Sequence, residues 1–139
     1  MKKVSIITVA WNSAETIQDT IESVIGQTYS NIEYIIVDGG SSDETVNIIK
    51  HFEEKISRWT SEPDDGIYDA MNKGIEMATG DYIGILNSDD FYADNTVVED
   101  VMNLMTKSGN EALYADLVYV DRENTQKVVR TWKAGAYKV

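Results

Sequence analysis

Asn87-Ser88-Asp89-Asp90 follows the apolar run Tyr82-Ile83-Gly84-Ile85-Leu86, which reads as a buried strand. Two adjacent carboxylates at a strand end repel one another and lose hydration. A hard divalent cation, Mg²⁺ or Mn²⁺, relieves that repulsion and can hold a diphosphate at the same time. The competing reading is local, with Ser88 or Asp89 capping the next turn of the chain. Acid pairs with perturbed pKa values at strand ends favour the metal.

Asp38-Gly39-Gly40 closes a second apolar run, Ile32–Val37. Paired glycines let the backbone turn sharply or approach a ligand closely. A carboxylate there can accept hydrogen bonds from a nucleobase imide or a ribose hydroxyl; otherwise it stabilises the turn. The glycines lack the spaced Gly-x-Gly-x-x-Gly pattern of dinucleotide binding. A calcium loop is excluded as well, because no glycine holds its sixth position and no Glu its twelfth. Trp11, at the end of the run Val4–Ala10, is either a base-stacking platform or a core aromatic. A stack on a base is worth roughly 1–3 kcal/mol. Lys73 can reach a phosphate or pair with Asp69 four residues earlier; the ion pair is the simpler role. Asp64 and Asp65 suit a helix N-terminus.

The elements that must position these residues alternate. Val4–Ala10 is a strand of the continuous apolar kind that sheets covered on both faces require. Asn12 to Glu15 reads as a capping box before a helix with Ile17, Ile21, Val24 and Ile25 on one stripe. Ile32–Val37 is a strand, and Ser41 to Glu44 is a second capping box before a helix burying Val46, Ile49 and Phe52. Ile56–Trp59 is a short strand stopped before Pro63. Residues 65–78 form a helix with Ile67, Met71, Ile75 and Ala78 inward and Gly80 as its C-terminal cap. Tyr82–Leu86 is the next strand. A helix over residues 95–107 turns Val98, Val101, Met102 and Met105 inward and ends near Gly109. Residues 112–120 and 127–131 make a late pair of strands near the sheet edge. This order predicts an α/β fold with right-handed crossovers, a mainly parallel sheet and helices on both faces. Ligands of such sheets lie beyond the carboxyl ends of the strands, where Trp11, Asp38 and Asn87–Asp90 fall.

The chain has 139 residues, 42% hydrophobic and 26% charged, enough for one domain with a real core. It has no cysteine and one histidine, which excludes disulfides, thiolate chemistry and histidine-rich metal sites. His51 falls at a helix end and reads as a surface residue. Net charge is −12. Residues 1–121 hold 7 Lys/Arg against 23 Asp/Glu, a balance of −16; residues 122–139 hold 5 against 1, a balance of +4. An acidic body disfavours nucleic acid. The basic tail reads as a solvated edge strand, with contact to an anionic surface as the alternative. No segment has the length of a transmembrane helix, and Met1-Lys2-Lys3 with the run after it reads better as a first strand than as a signal peptide. The cytoplasm is the default expectation.

Together Ser5–Asn12, Asp38–Thr45, Asp65–Gly74 and Asn87–Asp90 resemble, in order, the successive motifs of family 2 glycosyltransferases with the GT-A fold, across nearly the whole chain. The resemblance implies a Rossmann-like, inverting transferase that uses a nucleotide-sugar donor, commonly a UDP-sugar, and a glycan or lipid-linked acceptor. It implies that Ala10 and Trp11 line the base pocket and Asp38 contacts the uracil. Asp89 would lie at the ribose and sugar-phosphate side, and Asp90, with Asp89, would hold Mn²⁺ or Mg²⁺ against the diphosphate. Members of that family continue well past Val139, and their later half supplies the acceptor cleft and the catalytic base. Residues 1–139 are therefore expected to be a single truncated nucleotide-sugar-binding domain without an identified base; Asp116 and Asp121 read as structural. Peripheral association with the inner face of a membrane, and self-association through uncovered apolar surface, are left open. The alternative function is a nucleotide-binding module without turnover. A phosphorylated receiver domain would need an acid pair where Trp11-Asn12 stands.

Overall fold

The structure, a computed structural model, describes residues 1–136. The chain divides into two compact units, Met1–Asp100 and Val101–Val139. In the first, β1 (Val4–Ala10), β2 (Ile32–Asp38), β3 (Arg58–Ser61) and β4 (Tyr82–Ile85) form one sheet in the order β3-β2-β1-β4. Every pairing is parallel. The helices α1 (Ile17–Ile25), α2 (Thr45–His51) and α3 (Ile67–Met77) connect successive strands. The α/β expectation holds, and the topology assigns the faces. From β1 to β3 the chain steps one way across the sheet; from β3 to β4 it steps back. Right-handed crossovers then place α1 and α2 on one face and α3 on the other.

All seven residues of β1 are buried. Ile7, Val9, Ile35 and Val37 pack with Ala70 of α3, and Met71, Met77 and Ala78 pack around them. Ile6 and Ile36 are fully buried on the alternate positions, as are Ile17 and Ile21 of α1 and Ile49 of α2. His51 is exposed, as expected.

Several local expectations are corrected. Neither capping box forms: α1 starts after Thr16 and α2 after Glu44, each without a side-chain cap. Asn12 and Ser41 instead spend their side chains between loops. The inward face of α3 is Ala70 and Gly74, while Ile67 and Ile75 are exposed. The reason is distance: a Cβ on Gly74 would collide with Ile7 Cγ2, so helix and sheet touch where the side chains are smallest. Gly80 does not cap α3, which ends at Ala78; its N–H donates to Ser5 Oγ at 2.8 Å. Strand β4 is an edge, so Ile83 and Ile85 are each 45% exposed rather than buried.

In α4 (Val97–Ser108), Val98, Met102 and Met105 are buried as read. The late strands β5 (Leu117–Val120) and β6 (Val128–Trp132) do form, but pair antiparallel as a separate two-stranded sheet. Among the described residues no helix is long and apolar enough to cross a membrane.

Candidate functional site

Beyond the carboxyl ends of β1, β2 and β4 lies an open cavity of about 980 Å³, at the upper end of the range for small-molecule sites. Its walls come from Val9 and Ala10 at the end of β1 and Trp11–Ser13 after it, Gly39 and Asp43 after β2, Asp64 and Gly66 before α3, and Asn87–Asp89 after β4. It sits where β1 and β4 are neighbours whose connections leave in opposite directions, the switch point of an open sheet.

Three loops are tied together there. Asn12 adopts φ 47°, a left-handed conformation that asparagine tolerates better than most residues. From it the Asn12 N–H donates to Ser41 Oγ at 2.8 Å, while Asn12 Oδ1 accepts from Ser42 N–H at 2.9 Å. Ser13 N–H donates to Thr45 Oγ1, and Ala14 N–H to Asp43 Oδ2. Ser13 Oγ and Ser88 Oγ lie 2.7 Å apart and share a hydrogen bond. Thr45 also donates its hydroxyl and its N–H to Asp43 Oδ1. The hydroxyl bond leads the causes that hold the Asp43 carboxyl below its usual pKa.

Of the residues singled out by sequence, Ala10, Trp11 and Asp89 line this cavity. Trp11 is 69% exposed, which removes the core reading. Asp38 is fully buried and absent from the wall. Its carboxylate accepts from Gly40 N–H (3.1 Å), Ser41 N–H (2.9 Å), Ser41 Oγ (2.5 Å) and Ser61 Oγ (2.7 Å). These bonds tie the carboxylate to its own turn and to Ser61. Lys73 is also absent from the wall. Its ammonium lies 3.3 Å from both Glu62 and Asp69. Dehydration works to lower its pKa, but those two carboxylates outweigh it and raise it. Lys73 is thus ion-paired on both sides in this structure.

Asp90 follows Asp89 in a turn closed by its N–H donating to Asn87 O at 3.0 Å, and Thr20 Oγ1 donates to its carbonyl at 2.7 Å. Partial loss of water around its carboxyl, and then the Asp89 charge, push its pKa upward. Asn87 Oδ1 is buried and has no hydrogen-bond partner among the described residues. Two carboxylates and a stranded amide oxygen are a hard-oxygen donor set. No cluster of three or more His, Cys, Asp or Glu side chains suited to a metal occurs among the described residues. Oxygens of this type suit Mg²⁺ or Mn²⁺, but Asp89 lines the cavity and Asp90 is absent from its wall. Asp116 accepts from Ala134 N–H, and Asp121 from Glu123 and Asn124 N–H; both hold main chain in the second unit, as read.

Sequence reasoning gave Asp64 only a helix-terminal role and Asp43 none of its own, yet both line the cavity. For Asp64 the available signal was its place two residues before Gly66, in a turn that leads into a helix.

Residues 5–138 match the family model described as Glycosyl transferase family 2. Over 107 residues the chain is 40% identical to an uncharacterized glycosyltransferase of Mycobacterium tuberculosis (strain H37Rv), covering 76% of this chain and 41% of that one. The chain thus spans less than half the length of that curated relative. Among solved structures, S. aureus TarS residues 1–349 in complex with UDP-GlcNAc superposes with TM-score 0.69 at 22% identity, covering 76% of this chain and 31% of that one. The Pyrobaculum calidifontis mannosyltransferase PcManGT, in complex with GDP-Man and Mn²⁺, gives 0.67 at 21% identity, covering 86% and 35%. These likenesses fix the GT-A fold.

Proposed function

This chain belongs to glycosyl transferase family 2, and from that premise we propose that residues 1–139 are the donor-binding portion of a metal-dependent, inverting glycosyltransferase that uses a nucleotide-diphosphate sugar. The donor is a UDP-sugar and the acceptor a glycan or a lipid-linked sugar; the acceptor cleft lies outside these residues. The observation that carries the reading is the cavity at the β1/β4 switch point, whose wall includes an exposed Trp11 and Asn87–Asp89. A base stacks on Trp11 beside Ala10. Asp89 and Asp90 would hold Mg²⁺ or Mn²⁺, which would supply the charge that neutralises a leaving diphosphate. Both acids stand on a loop fixed to the base-side loop through the Ser13–Ser88 bond. Base and diphosphate ends of the site are thereby held in one frame. An acceptor hydroxyl then attacks the anomeric carbon in line with the departing diphosphate, the bond from that carbon to the phosphate oxygen breaking as the new one forms and the hydroxyl proton passing to a general base.

Thermal unfolding tests this. UDP with Mn²⁺ at 100 times the dissociation constant is expected to stabilise the chain by about 2.7 kcal/mol, and UDP without metal much less. Equal stabilisation with and without metal, or an undiminished metal effect in Asp90→Asn, refutes the metal role. A second reading is a nucleotide-binding module without turnover, favoured by the short span of the chain against its relative. UDP release from UDP-sugars that disappears in Asp90→Asn supports the transferase; tight binding without release supports the module.

A further inference from the structure

We propose that Thr20, a buried residue of α1, is a positioning residue for the cation site: its hydroxyl fixes the main chain just after Asp89, as the Ser13–Ser88 bond fixes it just before. The inference rests on the metal role proposed above for Asp89 and Asp90, and adds to it the element that holds them in place.

Between β4 and α4, residues 86–96 form neither helix nor strand, so their main-chain groups need partners elsewhere. One side of α1 and of the turn after it supplies them in a row. Thr20 Oγ1 donates to Asp90 O at 2.7 Å. Ser23 Oγ accepts from Tyr92 N–H at 3.2 Å. Gln27 Nε2 donates to Asp94 O at 2.7 Å, and Gln27 Oε1 accepts from Val98 N–H at 3.0 Å. Spacings of three and four residues keep these side chains on one side of the helix.

Thr20 is the member of the row nearest the acids. It is buried and absent from the cavity wall, so its effect on a ligand passes through the loop. Ser13 belongs to the same piece of chain: its carbonyl accepts from Thr16 N–H at 3.0 Å and Ile17 N–H at 2.9 Å where α1 begins. Asp89, which lines the cavity, is thus bracketed at Ser88 and at Asp90 by two hydroxyls carried on one helix and its leading turn. Adjacent carboxylates repel one another, and a loose loop lets them drift apart. A loop fixed on both sides of Asp89 spares the cation the work of ordering it. Groups one step behind a metal's ligands commonly tune its affinity by roughly 10–100-fold.

Mn²⁺ titration of the full chain, followed by electron paramagnetic resonance with UDP present, tests the assignment. Thr20→Val keeps the shape and removes the hydroxyl. It is expected to weaken Mn²⁺ at least roughly tenfold, and Thr20→Ser, which keeps the hydroxyl, to recover most of that affinity. Should the valine variant not fold, Thr20→Cys, whose thiol is a weak donor, carries the same expectation. Gln27→Leu removes bonds from the same loop farther from the acids; it is expected to lower stability and leave Mn²⁺ affinity close to that of the unaltered chain. Folded Thr20 variants that bind Mn²⁺ as tightly as the unaltered chain overturn the role of Thr20 alone. So does a serine variant as weak as the valine one, or an equal loss in Gln27→Leu, which marks a general loosening of the loop. No binding of Mn²⁺ to the unaltered chain overturns the metal reading and the assignment with it.

Discussion

Glu33 and Asp38 are buried carboxylates near opposite ends of β2, and each is held by hydrogen bonds from other elements. Glu33 accepts from Ser5 Oγ (2.6 Å), Thr79 N–H (2.8 Å) and Thr79 Oγ1 (2.9 Å). Burial works to raise its pKa, but these bonds prevail and hold it below the usual value of 4.5. A carboxyl lowered on folding contributes stability that is present above its unfolded pKa and is lost as pH falls through the lowered folded value. Glu33→Gln is therefore expected to cost about 1.5–3 kcal/mol at pH 7 and to flatten the loss of stability below about pH 4.5. Denaturant unfolding at stepped pH measures both. Because Glu33 is remote from the strand ends that bear the cavity, UDP binding should be unchanged. The same residue scale shows what a sequence can reveal. The place of Asp89 in the cavity wall was legible because its adjacency to Asp90 after a strand is itself a signal. The inward turn of Asp38 was not, since Ser61, one of the groups that hold it, stands 23 residues away on β3.

At the scale of elements, α3 shows where periodicity misleads. Its large apolar residues, Ile67 and Ile75, mark a stripe that the helix does not bury. Close approach to β1 decides instead, and that approach needs Gly74 against Ile7. Alanine at position 74 would raise helix propensity by about 1 kcal/mol. The same methyl group would be driven into a fully buried, β-branched side chain on the central strand, an overpacking cost of about 1–3 kcal/mol. We expect Gly74→Ala to be a net destabilisation of about 1 kcal/mol, measured by urea unfolding; a stabilised variant would mean that α3 slides freely on the sheet. The capping boxes failed for a related reason. Serine, asparagine and aspartate near helix starts serve equally well as bridges between loops, and here Asn12, Ser41 and Asp43 bond the neighbouring loop across 29 or 30 residues. Strands were easier to place, because β1 and β2 are apolar over nearly their whole length and buried on both faces.

For the whole molecule, the alternation of strand and helix specified a parallel α/β sheet, since few other arrangements cover such strands on both sides. What it did not specify is that the last two strands pair only with each other. Sequence alternation gives a strand its faces but names no partner strand. The consequence is an uneven distribution of stability. The sheet of the first unit has a fully buried central strand, whereas β6 is exposed along its length and β5 nearly so. Cross-strand contacts such as Arg130 over the Tyr119 ring, 5.6 Å from its centroid, add to the hairpin but contribute only about 0.5–1 kcal/mol at an exposed site. A two-stranded hairpin that buries neither face is marginal in water. Local opening should therefore expose β5 and β6 long before the sheet. Hydrogen exchange is expected to show the amides of residues 117–120 and 128–132 exchanging at least about a hundredfold faster than those of Ile6, Ile7, Ile35 and Ile36. Protection of the hairpin that rises with protein concentration would show that Val118, Val129 and Trp132, all exposed, are covered by a second copy; protection equal to the sheet at every concentration would refute the uneven distribution itself.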